Sequence, residues 1–148
     1  NVKLKFYKWE IEMMSMTLLS LTGFVTWSLF LLVLMEIIRT KMVLTKEVSA
    51  NGFLPDNSNL SPFMQRLART HANCLEGLPI FGGLMLIAVI AGKSEMTDKL
   101  ALFFLMARIL QSLTHLISVS PLAVTLRFIA FATQMGIAVY WAILLLSA

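Results

Sequence analysis

MMSMTLLSLTGFVTWSLFLLVLM, residues 13–35, carries no charged side chain from end to end. A helix rising ~1.5 Å per residue over that length crosses a hydrocarbon core ~30 Å thick, so this stretch predicts a membrane span. The composition around it agrees. Of 148 residues, 58% are hydrophobic and 14% charged, and the mean hydropathy is +0.81, too little polar surface for a soluble domain of this length. The length suits a single domain over residues 1–148. Before the span, NVKLKFYKWEIE is basic and aromatic. That layout resembles a signal peptide, but the apolar run is too long for one and no small-residue cleavage site follows. Lys3, Lys5, Lys8 and Trp9 read instead as its interfacial flank.

Three more spans follow, giving spans at about 13–35, 70–92, 100–120 and 126–147. Residues 36–61 form a polar loop, with Asn51-Gly52 and Pro55-Asp56-Asn57 as turn signals. Ser61-Pro62 reads as an N-cap followed by proline in the first turn, so helix two starts outside the membrane and runs to about Gly92. Pro79 has no N–H for the carbonyl of Leu75 and predicts a kink. Gly82-Gly83 and Gly136 would permit close helix packing. The expected fold is an all-α integral membrane protein, an up-down bundle of four transmembrane helices. Lysines and arginines are shared between its two faces, so the positive-inside rule assigns no orientation.

In such a bundle, the end of span one, the start of two, the end of three and the start of four share one membrane face. That face receives Arg39, Arg69, His71, Asn73, Glu76, Gln111, His115 and Arg127. Arg69, Asn73 and Glu76 are spaced i, i+4, i+7; Arg108, Gln111 and His115 are spaced i, i+3, i+7. Arg108 lies well inside its span, where a charge costs ~2.5–3.5 kcal/mol on insertion scales and must face protein, water or a partner. Glu76 is its candidate partner. Plainer readings stand beside these: Arg39 and Arg69 as snorkelling anchors, the histidines and Cys74 as packed residues, and the methionines as packing rather than metal ligands. No metal-ligand motif is present, and the net charge of +4 is spread too thinly for nucleic-acid binding. Arginines, amides and a carboxylate together suit a small ligand with carboxylates and an amine, meeting a lipophilic molecule at the interface.

R-x-H-x-N-x-x-E-x-x-P at 69–79, a polar loop before it and four spans around it, resembles the second-helix signature of the membrane-associated proteins in eicosanoid and glutathione metabolism (MAPEG). The resemblance extends over about residues 13–145, with Arg108-Ile109 and Arg127 in support. It implies a homotrimer with glutathione bound between subunits near one membrane face. It also implies that Arg39, Asn73, Glu76, Arg108, Gln111 and His115 bind glutathione and that Arg127, near the sulfur, is catalytic. An adjacent guanidinium favours the thiolate of a thiol whose ordinary pKa is ~8.5. The chain departs from the family pattern at Ala72, Cys74, Gln111, His115, Phe128 and Phe131, where members often carry a basic residue, Asp, His, Tyr, Ser and Tyr. Two functions are compatible with this pattern. One is a glutathione-dependent membrane transferase or peroxidase acting on a lipophilic electrophile or lipid hydroperoxide. The other is a non-catalytic protein of the same fold, serving as a lipid-binding or accessory subunit of a larger membrane complex.

Overall fold

The computed structural model describes residues 15–147; the expected flank at Lys3, Lys5, Lys8 and Trp9 lies outside them. Four helices dominate: α1 (Met16–Leu44), α2 (Pro62–Ile90), α3 (Glu95–Ile117) and α4 (Pro121–Leu146), each long and apolar enough to cross a membrane. The chain is an all-α, integral multi-pass membrane protein.

Local chemistry sets the helix ends. The Ser15, Ser61 and Ser120 hydroxyls each accept a bond from the backbone N–H three residues on, at 3.1, 3.3 and 3.3 Å. Pro62 and Pro121 follow two of those caps directly. Helix α4 therefore begins at Pro121, a turn before the apolar stretch from 126. Likewise α1 runs past Met35 to Leu44, because residues 36–44 hold no glycine or proline to stop it. The polar stretch 36–61 is thus part helix, and Arg39 rides on α1. Gly92, at φ +67°, closes α2: its N–H bonds the Val89 carbonyl at 3.1 Å and the Lys93 N–H bonds that of Ala88 at 2.8 Å. The kink expected at Pro79 takes the form of a widened π turn, Leu78–Gly82, inside α2.

Helix α3 packs most extensively against α4 and α1. At their crossing, Phe104 meets Phe24, Phe81 and Trp141, with ring centroids 6.1, 5.1 and 5.6 Å apart. Each such aromatic pair contributes ~0.5–1.5 kcal/mol beyond area burial. The expected small-residue contacts divide. A Cβ on Gly82 would lie 3.2 Å from Leu21 of α1, whereas Gly83 and Gly136 face open space and bring no helices together within this chain. Gly23, at the α1–α3 crossing, is the tighter contact: a Cβ there would fall 2.6 Å from Leu105. At the membrane face away from the polar loop, Asp98 accepts bonds from the Thr17 N–H at 2.8 Å and the Thr17 hydroxyl at 2.6 Å. This carboxylate satisfies the start of α1 from a neighbouring helix. Between 28% and 33% of each apolar window is buried inside the chain, so most of each helix surface is left for lipid or for another subunit.

Candidate functional site

Arg108 is 1% exposed. Its guanidinium lies between two aromatic rings, with the carbon 5.1 Å from the Phe24 centroid and 5.3 Å from that of Phe81. Gly77 makes the space: a Cβ there would sit 2.8 Å from Arg108 Nη2. The expected ion pair with Glu76 does not form. Arg108 points into the α1–α2 crossing, while the Glu76 side chain is exposed on α2, and the one salt bridge among the described residues is Arg39–Glu36 at 3.0 Å. The sole hydrogen bond of the Arg108 guanidinium among these residues is a long one, Nη1 to the Asn73 carbonyl at 3.5 Å, and Nε and Nη2 have no partner.

The magnitudes matter here. Two ring faces give ~0.5–2 kcal/mol each, comparable to the ~2.5–3.5 kcal/mol cost of placing the charge at depth. They leave the N–H groups unsatisfied, at ~1–3 kcal/mol per group. A bound anion would relieve that deficit.

Arg108 lines a cavity of ≈ 370 Å³ together with Asn73, Glu76, Gly77, Ile80, Phe81, Gln111 and Phe131. A second cavity of ≈ 320 Å³ shares Asn73, Gln111 and Phe131 and adds Arg69, His115, Val124, Arg127 and Phe128. Both lie within the ~300–1,000 Å³ range of small-ligand pockets. Joined through Asn73 and Gln111, the two cavities place Glu76 and Arg108 in the first and His115 and Arg127 in the second, from α2, α3 and α4. His71 lines neither. Arg39 is held elsewhere: it donates to Asn57 Oδ1 from Nη2 at 2.6 Å and from Nε at 3.2 Å, and to Glu36 at 3.0 Å.

Two contributors escaped the sequence reading. Gln134, fully buried on α4, donates to Gln111 Oε1 at 3.0 Å and so fixes one wall of the cavity. Its signal is a lone amide two turns beyond Arg127 in an apolar span. Asn57, fully buried at φ +58°, joins Arg39 to the Met64 carbonyl, to which its amide donates at 3.0 Å. Beside it, the Ser58 N–H donates to Asp56 Oδ1 at 3.0 Å and, with the Ser58 side chain, holds that exposed carboxyl below its usual pKa. Cys74 is buried with Sγ 3.7 Å from Ser112 Oγ, as the packed reading expected.

A four-helix membrane bundle with arginines, amides and a carboxylate around two adjoining cavities defines the class. The family follows from the sequence: the MAPEG family pattern matches residues 17–147, nearly the whole chain, and the protein belongs to that family. Neither a curated protein nor a solved structure matches it. Membership supports a membrane role in glutathione or eicosanoid metabolism at the level of the family.

Proposed function

We propose that this chain is a glutathione-dependent membrane transferase or peroxidase whose second substrate is a lipophilic electrophile or lipid hydroperoxide. Arg108 carries this reading: a buried guanidinium with two unpartnered nitrogens, opening on a cavity that a carboxylate-bearing ligand would complete. The donor set suits glutathione. Arg108, Arg69, Asn73 and Gln111 can bind carboxylates and amide carbonyls, and Glu76 can accept from an ammonium group. Glutathione would supply the thiolate nucleophile; Arg127 would favour that charge state by its own positive charge, and His115 would line the same space. Phe128 and Phe131 give the Arg127 cavity an apolar side on which a lipophilic substrate can rest.

We further propose that the working unit is a homotrimer with the site finished at a subunit boundary. Arg39 lines neither of these two cavities; its side chain, 18% exposed near the end of α1, is bonded to Asn57 and Glu36, and a neighbour's site would draw it from those contacts.

The test is equilibrium dialysis of glutathione against detergent-purified protein, with ultraviolet thiolate absorbance read on the same samples. Saturable binding with thiolate absorbance, retained binding but lost thiolate in Arg127→Ala, and product formation with a lipophilic electrophile are the expected results. No binding at millimolar glutathione overturns the proposal. Saturable binding without thiolate would favour the second reading, a lipid-binding or accessory subunit, for which Phe128 and Phe131 beside Arg127 are the supporting feature: neither offers a hydroxyl to the sulfur.

A further inference from the structure

A further cavity is larger than the one lined by Arg108 and the one lined by Arg127. It has a volume of ≈ 590 Å³ and lies between the loop before α2, the first turns of α2 and the end of α3. Arg66 and Arg69 face it from α2 and His115 from α3, opposed by a single carboxylate, Asp56 of the loop. Arg66 is half-buried and pinned. Its Nε donates to the Leu116 carbonyl at 3.0 Å, which leaves both Nη groups of the fork for a ligand. Arg69 makes no ion pair among the described residues. Two guanidiniums converging on one space, one held by a backbone bond, match the bidentate recognition of phosphate oxygens.

We propose that this cavity binds the phosphate of an anionic phospholipid headgroup, held by Arg66 and Arg69. Its place in the bundle selects the source of the phosphate. The cavity lies where two membrane-crossing helices meet the polar loop, the level at which headgroups sit. Its rim is greasy on the membrane side: Val119, which lines it just past the end of α3, is 65% exposed, and Ile117, the last residue of α3, is 78% exposed. An acyl chain leaving the cavity along α3 would cover both. The site is separate from the proposed glutathione pocket in Arg66, Gln65 and Asp56, and it shares a wall with it in Arg69 and His115. A headgroup that recruits Arg69 would therefore alter ligand binding next door, a consequence that rests on the glutathione reading, whereas lipid binding itself does not.

Native mass spectrometry of the full chain released from mild detergent, without glutathione, tests this. Dioctanoyl phosphatidylglycerol, dioctanoyl phosphatidylcholine and inorganic phosphate serve as probes. Phosphatidylglycerol should saturate at least one site with affinity about tenfold or more above phosphatidylcholine, and inorganic phosphate should leave no stoichiometric adduct. Arg66→Gln should weaken phosphatidylglycerol about tenfold. Because that variant also loses the bond to Leu116, two others keep the test decisive. Val119→Glu adds a negative charge to an exposed rim and should weaken binding to a similar degree. Asp56→Asn removes the only opposing carboxylate, retains an oxygen for the Ser58 N–H, and should tighten binding several-fold. Equal affinity for the two lipids, or phosphatidylglycerol affinity unmoved by Val119→Glu and Asp56→Asn, overturns the proposal. Stoichiometric inorganic phosphate displacing the lipid would assign the site to a free anion and overturn it as well.

Discussion

Arg108 and Gly77 form a unit that separates stability from function. A buried cation with no counter-ion among the described residues is a cost to the folded chain, and an apolar side chain of similar length removes it. Replacing buried charges by well-packed apolar groups is often neutral, or stabilising by ~1–4 kcal/mol. Against this stands the loss of contact with Phe24 and Phe81, ~0.5–2 kcal/mol per ring face. Arg108→Met is therefore expected to unfold at the same or a higher temperature in detergent while losing glutathione binding at least tenfold. Unfolding several degrees lower with binding intact would reverse the assignment. Gly77→Ala probes the same guanidinium from the other side. The new methyl group would meet Nη2 at 2.8 Å and Phe81 at 3.1 Å, and the long arginine side chain yields more readily than the ring. Ligand affinity should fall more than thermal stability, and a dialysis isotherm beside a melting curve reads both.

The segment joining α1 to α2 is held by Asn57 more than by any regular structure. Asn57 sits at φ +58°, accepts two bonds from Arg39 and donates to the Met64 carbonyl. Asn57→Ala keeps the left-handed backbone at a cost of ~1–2 kcal/mol for a residue with a Cβ and no local polar contact. It also loses hydrogen bonds to a charged partner, ~1.5–3 kcal/mol. Asn57→Gly restores the backbone freedom alone. The alanine variant should open the exposed Lys46 to trypsin fastest, the glycine variant less so, and the wild type least; equal digestion of all three would remove Asn57 from this role. The sequence marked this segment as turn-rich from Asn51-Gly52 and Pro55-Asp56-Asn57, yet not which amide would be buried, because that depends on Arg39 arriving from a helix turn beyond the apolar run. The four spans were legible because a long, predominantly apolar stretch has few alternatives to a membrane helix. Pro79 was legible as an irregularity, but a proline leaves open whether the helix bends or widens. The polar cluster was legible through helical spacing. The Arg108–Glu76 pair was not, since spacing fixes which residues share a stripe and leaves rotamers and neighbouring rings undetermined.

For the whole molecule, the open question is how many chains build one site. Within a single chain, two cavities that share Asn73 and Gln111 hold Glu76 and Arg108 in one and His115 and Arg127 in the other, and Arg39 lines neither. If a neighbouring subunit supplies Arg39, the interface is heterologous: one surface of each subunit meets a different surface of the next, and a ring closes by rotation. Mixed assemblies can then be told from independent subunits. Arg39→Ala and Arg127→Ala chains, each expected to lose thiolate formation as pure proteins, retain complementary halves of the site. When the two are co-expressed in equal amounts and assemble at random, about a quarter of the boundaries in such a ring receive an intact Arg39 from one chain and an intact Arg127 from the next. The thiolate signal of the mixture should recover to about that fraction of wild type. Mixing the separately purified variants without exchange of subunits should recover nothing. If Arg39 and Arg127 serve a site within one chain, every chain in the mixture is defective and the signal stays at zero however the subunits are shuffled. Recovery near a quarter would thus place the site across a boundary, and it would do so without needing the identity of the lipophilic substrate.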